Sequence, residues 1–348
     1  MNRVFKIFSV LSITILFASC KKDDGPEVIP PRPHAEVYAE DLAKIEDYLK
    51  AHYILVDKVN GDVTNVEIDS TDTAHPVSIW NQTEYPLLSK IVKLHGVDFK
   101  VYYLKLDTKT DTDADGDKPC GADRVFCTYR GTLLDGTQFD IAQSPVEFNL
   151  VSTIRGWEYI FPEFRAGYFD PVGSDGTLNP RNYGSGVMFV PSGLAYFNNG
   201  NINIPGYAPL VFTFNLFGVT HLDQDGDKIL SKYEYVFNDD GTLLDSDGDG
   251  RLNLYDADDD NDGYNTIDEI KFTYMDGAIE RTGYYPYHGA AVDDPATSYD
   301  ERRGIPRCFT GPNSTVSPFL PTSVQDDFTE PSRLRRHLDP NCKPPFGG

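Results

Sequence analysis

Short segments with the alternating pattern of β-strands fill residues 125–216, and they constrain the fold more than any other feature of the sequence. In the first segment Val125, Cys127 and Tyr129 stand two residues apart, so their side chains share one face of a strand. An Asp135-Gly136 pair follows, which is the sequence signal of a tight turn between antiparallel strands. The stretch therefore predicts an antiparallel sheet, with further strands at 145–150, 187–190 and 210–216.

A glycine followed by a tryptophan, Gly156-Trp157, opens a short helical segment inside this strand-rich stretch. Large apolar side chains are usually buried, so each aromatic residue taken singly is most simply part of a core. The combination suggests more, namely a small pocket with Trp157 as its floor. Five other aromatic residues of the stretch could wall that pocket: Tyr129, Phe139, Phe148, Tyr196 and Phe212.

Five pieces of this stretch, in order, resemble the FKBP-type peptidyl-prolyl cis-trans isomerase family. They are residues 126–140, 145–148, 154–157, 190–196, and 204–205 with 210–212. The resemblance covers roughly a quarter to a third of the chain. It implies an α+β fold in which a half-open antiparallel sheet of about five strands wraps on a short helix. It also implies isomerase activity at the peptide bond before proline, with no cofactor for that reaction.

Carried over position by position, the resemblance implies a set of pocket residues. They are Tyr129, Phe139, Asp140, Phe148, Ile154, Trp157, Tyr196, Ile204 and Phe212. Val146 departs from the family, which often has an aromatic residue there, and residues 168–186 form a longer and more polar connection. The connection is either a surface insertion, which we favour, or a flap over the substrate. Isomerisation breaks no bond, so the reaction needs no nucleophile or general base.

The acidic residues are concentrated in one segment. Residues 223–269 carry 16 of them against three basic residues, and the whole chain has a net charge of −23. Such a charge argues against nucleic acid as a partner, because phosphate binding needs a basic surface.

Three stretches have oxygen-bearing side chains at positions one, three, five, nine and twelve, the spacing of a calcium loop. They are Asp223, Asp225, Asp227, Ser231 and Glu234; Asp245, Asp247, Asp249, Asn253 and Asp256; and Asp258, Asp260, Asp262, Thr266 and Glu269.

These loops are too close together for paired EF-hands. The second ends at Asp256 and the third begins at Asp258, which leaves no room for a helix. The arrangement resembles thrombospondin type 3 or dockerin-like repeats, in which calcium has a structural role. A disordered acidic segment that binds calcium loosely is the alternative. A fourth fragment at 111–122 begins like a calcium loop, but it has Pro119 and Ala122 at the later ligand positions.

The N-terminus has the features of a targeting segment. A basic region at 2–6 precedes an apolar run at 7–18, and residues 17–20 resemble the lipobox of a bacterial lipoprotein. This resemblance implies lipid attachment at Cys20 and anchoring to the outer membrane, on either its periplasmic or its surface side. The alternative is an ordinary secretory signal.

The region before the isomerase-like stretch is expected to contain a helix at 41–53 and a strand at 99–106. We expect the strand to join the following sheet.

The sequence divides into six parts. They are 1–19, a lipoprotein signal peptide; 20–37, a tether; 38–107, an N-terminal extension; 108–220, the isomerase-like domain; 221–272, calcium-binding repeats; and 273–348, a loop-rich tail. In the tail Cys342 could pair with Cys308 or with Cys120. The expected function is isomerisation of X–Pro bonds in exported polypeptides. The alternative is a non-enzymatic chaperone or outer-membrane assembly or binding lipoprotein that uses the same pocket; the clients and the oligomeric state stay open.

Overall fold

The computed structural model describes residues 30–107, 116–171, 176, 178–238, 241–288, 304–307 and 333–344. Residues 1–32 form one unit and residues 33–348 another. The described part of the first unit, 30–32, has no regular secondary structure. Cys20 lies outside the described residues, and so do residues 111–115, the first part of the calcium-like fragment at 111–122. No helix in the described ranges is long and apolar enough to cross a bilayer.

The described residues form four α-helices and twelve strands, joined by several short 3₁₀ turns. The helices are α1 (His34–Ala51), α2 (Arg155–Ile160), α3 (Ser231–Glu234) and α4 (Thr266–Glu269). The strands are β1 (His52–Val59), β2 (Asp62–Ser70), β3 (Leu87–Leu94), β4 (Val97–Lys105), β5 (Arg124–Leu133), β6 (Gln138–Asn149), β7 (Tyr168–Phe169), β8 (Pro180–Arg181), β9 (Gly184–Val190), β10 (Leu210–Thr220), β11 (Lys271–Asp276) and β12 (Ile279–Tyr284).

The main element is a six-stranded antiparallel sheet with the strand order β3-β4-β9-β10-β5-β6. Antiparallel sheets with few helices confirm the coarse part of the predicted fold, a mixture of strands and helices, whereas the half-open sheet wrapped on a short helix stays a prediction. The sheet has one strand more than the five or so expected, because β4 pairs with β9 and brings β3 with it. The segment at 145–150 is not a separate strand but the end of β6. Between Ala142 and Val146, β6 has two more residues than the facing part of β5, and beyond this register shift its end is still paired with β5.

The sheet is covered on both faces. The sequence of β9 requires this cover, because the strand has apolar side chains on both sides. All seven of its residues are buried. Met188 and Val190 pack in one core with Trp157 of α2. The alternate residues Val187 and Phe189 pack in a second core with α1 and the β1–β2 hairpin. A strand with apolar side chains on both faces is stable only between two layers.

The helix α1 begins earlier than the pattern predicted, at His34 rather than residue 41, and it ends at Ala51 because His52 begins β1. Ile45 and Leu49 are fully buried on its inner face. Asp41 is also buried, and its Oδ2 accepts hydrogen bonds from the backbone N–H (2.8 Å) and hydroxyl (2.5 Å) of Ser192. The helix thus holds the turn that leads to Tyr196.

The acidic segment and the tail have a much smaller core. It consists of Ile229, Ile270, Phe272, Tyr285 and Ile305. Cys342 is disulfide-bonded, whereas Cys120 and Cys127 are free, which excludes a Cys120–Cys342 pair. With so few apolar contacts, this part of the chain depends on other interactions for its order.

Candidate functional site

Trp157 lies in the first turn of α2, pressed against the sheet. A β-carbon on Gly156 would lie 2.5 Å from Cγ1 of Val190 in β9, closer than van der Waals contact allows. Glycine at 156 therefore lets α2 approach the strand, and this approach fixes the tryptophan that follows. The Trp157 side chain is only 4% exposed.

Three aromatic rings stand almost perpendicular to the indole of Trp157. The ring centroids lie at 5.0 Å for Tyr129, 5.4 Å for Phe148 and 5.3 Å for Phe212, with interplanar angles of 83°, 80° and 88°. Edge-to-face packing of this kind is favourable for aromatic pairs and holds each ring in place. The indole face and the ring walls form a preorganised apolar concavity.

This concavity is a cavity of about 480 Å³. Eight of the nine residues expected at the pocket line it: Tyr129, Phe139, Asp140, Phe148, Ile154, Trp157, Tyr196 and Phe212. The ninth, Ile204, does not line it and is buried in the core beneath. Four further lining residues were missed, namely Ser152, Thr153, Arg155 and Ala195. Arg155 and Ala195 lie within expected pieces, and Ser152 and Thr153 lie within two residues of Ile154, so proximity along the chain was the available signal.

Polar side chains line the cavity beside the aromatic rings, and Tyr129 and Asp140 among them are hydrogen-bonded to each other. The hydroxyl of Tyr129 donates a hydrogen bond of 2.6 Å to Oδ2 of Asp140, and the backbone N–H of Ile141 donates to Oδ1. Burial, with the neighbouring Asp140 carboxylate, raises the pKa of Tyr129 above its ordinary value, so its hydroxyl stays protonated as a donor. The indole Nε1 of Trp157 has no hydrogen-bond partner among the described residues. Neither Val146 nor any described residue of 168–186 lines the cavity.

The acidic loops converge as their spacing predicts. In each loop the first, third and fifth residues bring carboxylate oxygens to within 4.8 Å of one another. The same two hydrogen bonds also occur inside each of the three loops. Oδ2 of the first residue accepts from the backbone nitrogen of the sixth at 3.2, 3.0 and 3.1 Å in loops one to three. The side-chain oxygen of the ninth residue accepts from the backbone nitrogen of the second, and these acceptors are Ser231, Asn253 and Thr266.

The twelfth positions behave differently from one another. Glu234 brings a carboxylate oxygen to within 4.8 Å of Asp227. Asp256 instead accepts a hydrogen bond of 3.1 Å from the backbone nitrogen of Asp258. Glu269 is fully buried, and its carboxylate has no hydrogen-bond partner in the described part of the chain. Burial and neighbouring acids raise the pKa of Glu234 to about 10 and that of Glu269 to about 9. Such clusters of like charge are stable only when a cation or protons neutralise them.

The sixth position of every loop adopts the left-handed backbone conformation. The φ angle is 97° at Gly250 and 92° at Gly263, and it is 80° at Lys228, where a side chain is present. A side chain in this region costs about 1–2 kcal/mol. We therefore expect Lys228→Gly to raise the free energy of unfolding by about 1 kcal/mol, measured by denaturant titration in saturating calcium. The matched control is Lys232→Gly within α3, which should lower stability because glycine disfavours a helix. Equal effects of the two substitutions would contradict this interpretation.

The helix of the pocket is also bonded to the acidic segment. Glu158, next to Trp157 and only 1% exposed, accepts a hydrogen bond of 2.5 Å from the hydroxyl of Tyr235, and its other oxygen pairs with Arg155. Tyr235 directly follows the loop residue Glu234. A larger cavity of about 620 Å³ borders this contact and includes none of the nine expected pocket residues.

Removal of this hydrogen bond has a calculable cost. Tyr235→Phe leaves one oxygen of the buried Glu158 unpaired, and an unsatisfied buried acceptor costs about 1–3 kcal/mol. We expect that loss in the free energy of unfolding measured by chemical denaturation. Tyr264→Phe is the control, because Tyr264 is 42% exposed and lies in the third loop. Similar losses for the two variants would show that the Tyr235–Glu158 bond does not stabilise the protein.

Comparison with known proteins gives partial matches. Over 115 residues the chain is 36% identical to the FKBP-type peptidyl-prolyl cis-trans isomerase FkpA of Aeromonas hydrophila, covering 32% of this chain and 37% of that protein. It is 32% identical over 115 residues to an FKBP-type 22 kDa peptidyl-prolyl cis-trans isomerase of Escherichia coli, covering 48% of that protein. About a third of this chain is homologous to FKBP-type prolyl isomerases. The chain spans less than half the length of these two relatives.

Two further matches complete the comparison. A solved peptidyl-prolyl cis-trans isomerase from Pseudomonas syringae pv. tomato, 19% identical, aligns with 55% of this chain and 99% of its own, with a TM-score of 0.32. Residues 224–299 match the family model described as BamM C-terminal. That range includes most of the first acidic loop and all of the other two. The resemblance of the loops to thrombospondin type 3 repeats stays a prediction.

Proposed function

We propose that this protein is a peptidyl-prolyl cis-trans isomerase that assists the folding of exported polypeptides at the cell envelope. The observation that carries the proposal is the cavity floored by Trp157 and walled by Tyr129, Phe148 and Phe212 at right angles to it. Homology over a third of the chain to proteins named as FKBP-type isomerases supports it. The substrates are proline-containing polypeptides, and the reaction requires no cofactor.

The reaction is a rotation about an amide bond, with a barrier of roughly 18–20 kcal/mol. In the planar amide, resonance places extra negative charge on the carbonyl oxygen; the twisted transition state loses that resonance. A pocket poor in water therefore disfavours the planar form relative to the twisted one. The proline ring would lie on the indole of Trp157. The Tyr129–Asp140 pair and the hydroxyl of Tyr196, an exposed residue, would orient the flanking chain.

A second candidate uses the same cavity without catalysis, as a calcium-stabilised chaperone or an outer-membrane assembly or binding lipoprotein. The observation that favours it is the BamM C-terminal match at residues 224–299. The two candidates differ in stoichiometry. An isomerase accelerates many substrate molecules in turn, whereas a binding protein acts only on the molecules it holds.

Refolding of a protein whose slow phase is limited by an X–Pro bond separates these candidates. Uncatalysed, such a phase lasts tens to hundreds of seconds. We expect the full-length protein, at a few per cent of the substrate concentration, to shorten this phase. If aggregation is suppressed only at equal concentrations and the slow phase keeps its rate, the isomerase proposal fails and the binding proposal gains support.

We also propose that the three acidic loops bind calcium in a structural role. Their support is the convergence of three carboxylates in each loop and the repeated internal hydrogen bonds. Calcium accepts six to eight oxygen ligands at 2.3–2.6 Å, which suits oxygens lying within 4.8 Å of one another. Bound calcium would neutralise the repulsion between carboxylates and stabilise a region that has little apolar core.

We further propose that Cys20 carries a lipid that anchors the protein to the outer membrane. The support is the basic region, apolar run and lipobox-like residues 17–20. Cys20→Ala is expected to move the protein from the membrane fraction to the soluble fraction, because acyl chains supply the membrane affinity. Cell fractionation with immunoblotting measures this shift, and Cys127→Ala, a free buried cysteine, is the control. A Cys20→Ala protein that stays in the membrane fraction would contradict the lipid anchor.

A further inference from the structure

An acidic residue of the third calcium loop, Asp259, lies beside two acidic residues of the first loop, Asp227 and Glu234. Carboxylate oxygens of Asp227, Glu234 and Asp259 lie within 4.8 Å of one another. Asp227 and Glu234 belong to loop one, whereas Asp259 is the second residue of loop three. The second position of a calcium loop supplies no ligand to its own ion, so the spacing gives Asp259 no role there.

The three carboxylates are buried, and within the part of the chain that the structure describes only Oδ1 of Asp227 has a hydrogen-bond donor, the backbone N–H of Ile229 at 2.6 Å. Asp227, Glu234 and Asp259 are 1%, 5% and 2% exposed. Both oxygens of Glu234, both oxygens of Asp259 and Oδ2 of Asp227 accept no hydrogen bond from the described residues. None of the three forms an ion pair with a lysine or arginine in the described ranges. A buried carboxylate without a counter-charge is strongly destabilised, and here three carboxylates lie within 4.8 Å of one another.

We propose that Asp227, Glu234 and Asp259 hold one calcium ion together, so that this site joins loop one to loop three. A divalent cation satisfies the geometry because its oxygen ligands surround it at 2.3–2.6 Å. The ion closes a segment of the chain from Asp227 to Asp259, with the whole of loop two inside it. Calcium bound here therefore fixes the arrangement of the loops as well as the internal shape of loop one. This inference rests on the proposed calcium role of the loops and is independent of the isomerase activity.

The site also lies close to the pocket helix. Glu234 immediately precedes Tyr235, whose hydroxyl is hydrogen-bonded to Glu158 of α2. Gln224, in the same loop, donates a hydrogen bond of 3.2 Å from Nε2 to the carbonyl of Ala122, just before β5. An ion at this site would therefore order the loop that contacts the isomerase-like domain.

The proposal is tested by calorimetric titration with calcium, in which the full-length wild-type protein is compared with the Asp259→Asn variant. The substitution keeps the shape of the side chain and removes its charge. We expect one class of site to lose at least about tenfold in affinity, since calcium affinity depends on the number of charged ligands. The control is Asp268→Asn, a half-exposed acid paired with Lys271, and this variant should bind calcium as the wild type does. Wild-type affinity and stoichiometry in Asp259→Asn would overturn the proposal.

Thermal melting distinguishes a ligand from a residue with a merely structural role. Without calcium, Asp259→Asn should melt no lower than the wild type, because one of three mutually repelling carboxylates is gone. With saturating calcium it should melt lower. A lower melting temperature under both conditions would overturn the ligand role. A wild-type protein that binds no calcium would remove the calcium role of the loops altogether and leave the isomerase proposal untouched.

A double-mutant cycle with Glu234→Gln adds an independent test. If both residues hold the same ion, the second substitution should cost less in calcium affinity than it does alone, because the site is already impaired. Fully additive losses would place the two residues at separate ions and overturn the shared site.

Discussion

Trp157→Leu is expected to lower kcat/KM for an X–Pro peptide by about tenfold or more, which corresponds to about 1.4 kcal/mol of transition-state stabilisation. Leucine is apolar but lacks the flat face on which the proline ring would lie. The substitution also removes the indole against which three aromatic rings pack. The walls of the cavity at Tyr129, Phe148 and Phe212 therefore lose their fixed orientation. A prolyl-peptide isomerisation assay measures the rate.

The chain supplies a matched control for this substitution in its other tryptophan. Trp80 is 36% exposed and packs edge-on to Tyr102 at 5.8 Å, away from the cavity. Trp80→Leu should keep the wild-type rate. Since Trp157 is buried, its replacement also costs roughly 2–4 kcal/mol in stability, so near-UV circular dichroism must confirm that the variant is folded. A folded Trp157→Leu protein with the wild-type rate would contradict the proposed floor of the pocket.

Removal of calcium is expected to produce the largest change in stability. A ligand present at 100 times its dissociation constant adds about 2.7 kcal/mol per site, so three loops together would contribute about 8 kcal/mol. Their small core of five buried residues gives the segment little other stabilisation. Thermal melting of the full-length protein with calcium, and then with excess chelator, measures the loss.

Loop two offers a graded control for the calcium effect. Asp245→Asn combined with Asp247→Asn removes two carboxylates from one converging group and leaves the other groups intact. We expect this variant to lose about a third of the calcium-dependent stabilisation. Magnesium should replace calcium poorly, because it demands near-ideal octahedral geometry. The same melting curve with calcium and with chelator would contradict the structural role of the ion.

The pocket could be predicted from the sequence because its residues lie in short ordered pieces that carry a family pattern. Ile204 is the instructive exception. Its piece was placed correctly next to β10, but whether its side chain faces the cavity or the core depends on the path of the preceding loop. Arg155 was missed although it lies between two expected residues, because the family pattern assigns pocket positions to Ile154 and Trp157 and none to the residue at 155.

Two other features show where the sequence was less informative, and for different reasons. The β1–β2 hairpin was missed although its turn is an Asn60-Gly61 pair with positive φ at both residues, which is a known hairpin signal. The position of Asp259 beside Glu234 had no such signal. It depends on how loop two folds back, and that is set by contacts between residues far apart in the chain rather than by spacing.

Isomerase activity is tested most directly by the exchange rate between the cis and trans forms of a short X–Pro peptide, measured by NMR exchange spectroscopy. The spontaneous rate is of the order of one event in tens to hundreds of seconds. With a catalytic amount of the full-length protein, we expect exchange much faster than that spontaneous rate, and a return toward it for folded Trp157→Leu. An exchange rate in the presence of the wild-type protein equal to that of the peptide alone would contradict the isomerase proposal.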